Sequence, residues 1–116
     1  MMVLSILHNP RCSKSRKTLE IIENHNIEAE IILYLQNPPS ETELKALLGK
    51  LGIEASNLIR KGESIIKDLN IDLSSTSDDD LISMMVEHPV LIERPIVYND
   101  TSAIIGRPPE NVQELI

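Results

Sequence analysis

The stretch His8-Asn9-Pro10-Arg11-Cys12-Ser13-Lys14-Ser15-Arg16 sets the fold of the N-terminal part of the chain. It follows a short apolar run, Val3 to Leu7, and precedes an amphipathic segment that begins near Ser13. This order predicts a strand, a tight loop and then a helix. The only cysteine of the protein therefore lies where a helix begins.

The position of Cys12 favours a reactive thiolate. The first N–H groups of a helix have no intrahelical partners, and the helix dipole places partial positive charge there. Arg11, Lys14 and Arg16 add three cationic side chains within four residues. Such surroundings lower a cysteine pKa from ~8.5 to between ~3.5 and ~7.5, and they also bind small anions. A lone cysteine is usually a buried structural residue, but charged neighbours and a loop position favour the reactive interpretation here.

Composition excludes several classes of protein. A length of 116 residues predicts one domain, spanning residues 1–116. A single cysteine excludes an intrachain disulfide and a cysteine-based zinc site, and it favours the reducing cytoplasm. No apolar run approaches the roughly 20 residues of a membrane span, and the N-terminus lacks the features of a signal peptide. The net charge of −7 argues against nucleic acid as a partner. We expect no bound metal or cofactor.

The arginines are few and unevenly placed. Two of the five, Arg11 and Arg16, flank the cysteine, whereas Arg60, Arg94 and Arg107 each adjoin a Gly, Pro or Lys at a predicted element boundary. Arginine suits bidentate binding of tetrahedral oxyanions, so these residues are candidates for one anion site. The alternative is that they are solvated surface residues, as most single arginines are.

The remaining pattern predicts an α/β fold. A second buried strand at residues 30–34 completes a β-α-β unit, and Ser40 with Glu43 forms a capping box for a helix that ends at Gly52. Shorter helices are expected at 55–60 and 63–69, and another follows the Ser77 cap. Two β-rich runs, 90–98 and 102–106, predict a hairpin before a terminal helix at 110–116. The order β-α-β, helical insertion, β-β-α predicts a thioredoxin-like fold with a mixed four-stranded sheet.

Five sequence blocks carry a resemblance to a known family. The chain resembles the glutaredoxin-linked arsenate reductases of the ArsC family over its whole length. Arg11 and the C-terminus at Ile116 are similar to a short subgroup of that family. The blocks are His8–Arg16, Asn37-Pro-Pro39, Leu58-Ile-Arg-Lys61, His88–Ile96 and Gly106-Arg-Pro108.

The resemblance implies a reaction and a set of residues. It implies that Cys12 attacks arsenate, which is reduced to arsenite with glutathione as co-substrate and glutaredoxin as partner. It also implies that Arg94–Pro95 is the cis-proline bond of the fold, which would bring Arg94 close to the cysteine. The implied oxyanion-binding residues are Arg60, Arg94 and Arg107, and the implied supporting residues are His8, Ser15, Arg11, Arg16 and Pro95. His8 is a candidate general acid or a hydrogen-bonded loop histidine.

Three other functions are alternatives to arsenate reduction for this chain. A cysteine-dependent phosphatase needs arginine at the sixth position after the cysteine, where this chain has Thr18. A monothiol glutaredoxin-like exchanger fits the Cys12-x-x-Ser15 spacing but has no need of three downstream arginines. A transcription regulator that binds RNA polymerase would have the same fold, and it would be redox-insensitive here because Ser15 replaces the second cysteine of a C-x-x-C switch. The arginine set favours the reductase, and the exchanger and the regulator stay open alternatives.

Overall fold

The computed structural model describes residues 4–116, which form two compact units. The first unit combines the chain up to Asn37 with Arg94–Ile116, and the second comprises Pro38–Glu93. The organisation of residues 1–116 as one domain stays a prediction. Val3, the first residue of the predicted strand, lies outside the described residues.

A mixed four-stranded sheet forms the first unit. Its strands are β1 (Leu4–Leu7), β2 (Ala29–Ile32), β3 (Ile96–Tyr98) and β4 (Ala103–Ile105), in the order β2-β1-β3-β4. β1 pairs with β2 in parallel, and β3 pairs antiparallel with both β1 and β4. The predicted parallel pair extended by an antiparallel hairpin is therefore confirmed.

Helix α1 (Ser13–Asn24) connects β1 to β2, and a 3-10 helix (Pro109–Leu115) ends the chain. The two helices contact each other, and the terminal one also contacts β4. Their buried side chains join those of β1 and β3 in one aliphatic core, made of Leu4, Ile6, Ile22, Val97, Val112 and Leu115. This packing holds β1 in place, and the chain enters the Cys12 loop from the end of β1.

The second unit is helical. It contains α2 (Glu41–Leu51), α3 (Ala55–Leu58), α4 (Ser64–Asp68), α5 (Asp78–Glu87) and a 3-10 turn at Pro89–Leu91. The Ser40 capping box is present, and Gly52 ends α2 in the left-handed conformation at φ 68°. Helix α5 packs against α2 and α3, and the Ser77 side chain accepts a hydrogen bond from the Asp80 N–H at its start.

The predicted second strand is shorter and less buried than expected. It ends at Ile32, because the N–H groups of Gln36 and Asn37 both donate to the Leu33 carbonyl at 2.9 Å and close a turn. β2 also lies at the edge of the sheet, which leaves the Ile31 side chain 48% exposed. The prediction of a fully buried strand through Tyr34 is therefore wrong.

The run predicted as β from residue 90 to 98 is strand only in its last three residues. A 3-10 turn begins at Pro89, and Ile92 then pairs with Ile59 in an isolated antiparallel bridge. The same bridge explains why α3 ends at Leu58 and not at residue 60. The helix predicted at 63–69 is α4, which ends at Asp68 and leaves Leu69 51% exposed. The predicted terminal helix is of the 3-10 type.

Candidate functional site

Cys12 is the residue immediately before α1, with φ −93° and ψ 122°. Its N–H donates to the Asn9 carbonyl at 3.0 Å, and the Asn9 side-chain oxygen accepts from the Arg11 N–H at 3.0 Å. These two bonds close a tight loop between β1 and α1. The loop places the sulfur beside the N–H groups of the first helical turn, as the sequence predicted.

Several donors lower the pKa of the Cys12 thiol. Partial burial is the largest single influence and acts in the opposite direction, because it disfavours the charged form. The Ser15 N–H, the Arg94 side chain and the Lys14 N–H donate to the sulfur and together outweigh that cost. The pKa of Cys12 therefore lies below its ordinary value, in the predicted direction.

Two of the predicted arginines meet at this sulfur. Arg107 Nη2 lies 3.9 Å from Cys12 Sγ, and Arg107 Nε donates to the Arg94 carbonyl at 2.9 Å. The Arg94 side chain donates to the sulfur. Burial lowers the pKa of the Arg94 guanidinium, but hydrogen bonds to Cys12 and Tyr34 and the charges of both raise it overall. The Arg94–Pro95 bond is cis, as the resemblance implied.

His8 and Ser15 form a buried pair behind the loop. His8 Nδ1 and Ser15 Oγ are 2.6 Å apart, and the Asn9 N–H donates to the same Ser15 oxygen at 3.0 Å. Burial, and then the charge of Arg16, lower the pKa of His8, although Glu23 acts against them. In the neutral ring with its proton on Nε2, Nδ1 accepts the Ser15 hydroxyl proton, and the Ser15 oxygen accepts from the Asn9 N–H.

The sequence predicts two local influences on Cys12, namely its flanking cations and the first turn of α1. Arg11, Lys14 and Arg16 are exposed, and Arg16 Nη1 donates to the Pro10 carbonyl at 3.1 Å. The local contributions that lower the pKa of Cys12 come from the N–H groups of Lys14 and Ser15. The first turn of α1 therefore acts on the sulfur as predicted, and the contribution of the three flanking side chains stays a prediction.

Arg60 belongs to the second unit. Its Nε donates to Glu63 at 3.0 Å and its Nη1 donates to Glu93 at 2.9 Å, so two carboxylates of the same unit hold it. Its N–H donates to the Leu91 carbonyl. The predicted role of Arg60 in oxyanion binding stays a prediction.

Sequence reasoning missed Tyr34 as a residue of the site. Its side chain is fully buried and interacts with the Arg94 guanidinium. The sequence placed it inside a strand, and only its rarity as one of two aromatic residues could have drawn notice. Among the residues from 4 to 116, no group of three metal-ligating side chains is found, and none of the helices in this range is long and apolar enough to cross a membrane.

The chain is similar to known proteins over nearly its whole length. The ArsC family model matches residues 7–115. An arsenate reductase of Haemophilus influenzae is 46% identical over 116 residues, covering 99% of this chain and all of the relative. An arsenate reductase of Escherichia coli is 42% identical, covering 97% of this chain and 80% of the relative.

The solved structure of an arsenate reductase from Vibrio cholerae superposes with a TM-score of 0.95 at 48% identity. The match covers 99% of this chain and 98% of that one. Together with the strand order, this likeness confirms the predicted thioredoxin-like α/β fold. The chain belongs to the ArsC family.

Proposed function

We propose that this protein reduces arsenate to arsenite, with Cys12 as the nucleophile and glutathione as the external reductant. The observation that supports the proposal most is the set of donors around Cys12 Sγ, formed by Arg94, Arg107 and the first turn of α1. The relatives from Haemophilus influenzae and Vibrio cholerae are named arsenate reductases, which also supports the proposal.

In the first step the Cys12 thiolate bonds to arsenic. One oxygen of dihydrogen arsenate takes up a proton and leaves as water, so arsenic stays in its +5 state. The sulfur is anionic and so is the oxyanion, and bringing them together requires nearby positive charge. Arg94 and Arg107 supply it from fixed positions. The resemblance adds Arg60 to this role.

In the second step a glutathione thiol attacks the sulfur of Cys12. A disulfide forms between glutathione and Cys12, the sulfur–arsenic bond breaks, and its electron pair stays on arsenic, which leaves as arsenite. Arsenic gains two electrons and the two sulfurs lose them. Because the chain has one cysteine, the second thiol has to come from another molecule. Glutaredoxin then restores the thiol of Cys12 from the mixed disulfide.

His8 and Ser15 stabilise the loop that carries the nucleophile. The depressed pKa of His8 keeps its ring neutral at pH 7, so it adds no positive charge to the sulfur. Its bond to Ser15 and the bond from the Asn9 N–H instead hold the loop that carries Cys12. We propose the reducing cytoplasm as the location, since a free catalytic thiol has to stay reduced.

The decisive experiment measures arsenate-dependent oxidation of NADPH with glutathione, glutathione reductase and glutaredoxin present. We expect turnover with the complete mixture and none when thioredoxin and its reductase replace the glutathione system. Sustained turnover with thioredoxin alone would contradict glutathione as the attacking thiol. No arsenate-dependent turnover in either mixture would contradict the reductase and would favour the exchanger or the regulator.

Two variants control this assay. Cys12→Ser is expected to abolish turnover under every condition, because a hydroxyl is not ionised at neutral pH. Lys17→Gln removes an exposed cation of the same helix that pairs with Glu20, and it is expected to retain turnover. Equal loss in both variants would show that the assay reports folding and not the thiolate.

A further inference from the structure

Asn111 holds the turn that carries Arg107. It lies in the terminal 3-10 helix, whose neighbouring side chains Val112 and Leu115 are buried in the core of the first unit. The Asn111 side chain is partly buried. Its amide nitrogen Nδ2 donates to the Ile105 carbonyl at 3.2 Å and to the Arg107 carbonyl at 3.2 Å.

The local sequence explains why a side chain is needed at this turn. In a tight helical turn, a carbonyl accepts from the N–H three or four residues later. For Ile105 those residues are Pro108 and Pro109, and neither has an N–H group. The Arg107 N–H and the Asn111 amide donate to the Ile105 carbonyl instead.

The Arg107 backbone is therefore held on both sides. Its N–H donates to Ile105 at 2.9 Å, and its carbonyl accepts from Asn111. From this fixed backbone the side chain reaches the Arg94 carbonyl through Nε and Cys12 Sγ through Nη2. The 3.9 Å contact with sulfur is long, so a shift of a few tenths of an ångström in the turn would remove it.

We propose that Asn111 is a positioning residue that acts through Arg107 and places its guanidinium beside the Cys12 sulfur. Asn111 does not touch the sulfur itself. The inference deepens the proposed function, because it concerns the cation that receives the oxyanion at the same thiol. Its test uses alkylation of Cys12, which needs no arsenate reduction.

The readout is the ratio of two alkylation rates at low ionic strength. Iodoacetate is anionic and iodoacetamide is neutral, and both react with the same thiolate and release iodide. A change in thiolate fraction alters both rates equally, so their ratio reports positive charge next to the sulfur. We expect Asn111→Ala to lower the ratio of iodoacetate to iodoacetamide by about twofold or more.

Gln113→Ala is the matched control, because it removes an exposed amide from the same 3-10 helix. It is expected to leave the ratio unchanged. Circular dichroism establishes that each variant is folded. If Asn111→Ala unfolds, Asn111→Ser, which retains one hydroxyl donor, takes its place with an expected ratio between those of the wild type and Arg107→Gln.

A double-mutant cycle on the ratio of alkylation rates tests whether Asn111 acts through Arg107. In an Arg107→Gln background, the added Asn111→Ala change is expected to produce no further fall in the ratio. An equal fall in both backgrounds, or no fall in the wild-type background, would overturn the proposal. If the cycle behaves as expected and arsenate turnover is absent, only the proposed function fails. If arsenate turnover is present but the effects of the two substitutions on the ratio are additive, only the role of Asn111 is overturned.

Discussion

At the residue scale, Arg94 is the side chain whose hydrogen bond and charge lower the pKa of the Cys12 thiol. The backbone N–H groups of Lys14 and Ser15 act in the same direction. Because these two N–H groups are part of the backbone, they remain in any side-chain variant that keeps the start of α1 intact. Arg94 is therefore the contribution that mutation can remove cleanly.

We predict that Arg94→Ala raises the pKa of Cys12. The wild-type thiol is ionised below its ordinary pKa, so its alkylation rate rises at lower pH than that of a free thiol. Loss of the guanidinium shifts this curve to higher pH and slows alkylation at acidic pH by about three- to tenfold. Iodoacetamide labelling followed across pH measures the midpoint.

Lys17→Gln provides the comparison, because its ammonium lies on the same helix and pairs with Glu20 at 3.4 Å. Its alkylation curve is expected to match that of the wild type. A wild-type midpoint near the ordinary value of ~8.5 would mean that neither Arg94 nor the first turn acts on the sulfur. An unchanged midpoint in Arg94→Ala would show that Arg94 does not lower the pKa of Cys12, and the contribution of the first turn would still stand.

At the element scale, the close approach of β4 to α1 depends on Gly106. A Cβ atom at this position would lie 2.5 Å from Thr18 Oγ1 and 2.8 Å from Pro95 Cγ. The Gly106 N–H also donates to the Pro95 carbonyl at 2.9 Å. A larger residue would push the middle of α1, at Thr18, away from Pro95 and the segment that carries Arg94, so the glycine is needed for packing.

We predict that Gly106→Ala destabilises the protein by roughly 1–3 kcal/mol, since the buried methyl group has no space. Gly49→Ala is the matched substitution, because Gly49 is exposed in α2 and its Cβ would meet nothing within 4 Å. It is expected to stabilise the protein by about 0.5–1 kcal/mol. Urea unfolding measures both, and two changes of the same sign would contradict the packing argument.

At the scale of the whole molecule, the count of sulfurs limits the chemistry. The chain has one cysteine and four methionines, and thioethers do not form disulfides. In the proposed mechanism Cys12 bonds to arsenic, and the oxidising step then has to join Cys12 to a sulfur of another molecule. The absence of a second thiol makes the identity of that molecule measurable.

We predict that the protein accumulates as a mixed disulfide with one glutathione on Cys12. We expect this mixed disulfide when the protein is incubated with arsenate and glutathione in the absence of glutaredoxin. Intact-protein mass spectrometry detects the adduct, and peptide mapping places it. Addition of glutaredoxin is expected to remove it. An unmodified Cys12 under these conditions, with arsenite nevertheless produced, would contradict glutathione as the attacking thiol.

Local features of the fold, including the start of the helix at the site, were predictable from the sequence. The Ser40–Glu43 capping box, the Gly52 helix end and the start of α1 at Cys12 all came out as expected. Each depends on hydrogen bonds between groups only a few residues apart, so the sequence around them contains both partners. The position of the cysteine at a helix start belongs to this class, whereas the direction of its pKa shift also depends on Arg94, which is distant in the sequence.

Only the tertiary structure decided which groups surround the sulfur. Arg107 is 95 residues from Cys12 along the chain, yet its guanidinium reaches Sγ, and the buried Tyr34 side chain interacts with Arg94. The end of α3 at Leu58 likewise depends on the distant bridge between Ile59 and Ile92. Local sequence signals act within a turn or two, whereas these contacts exist only after the sheet and helices have packed and brought distant segments together.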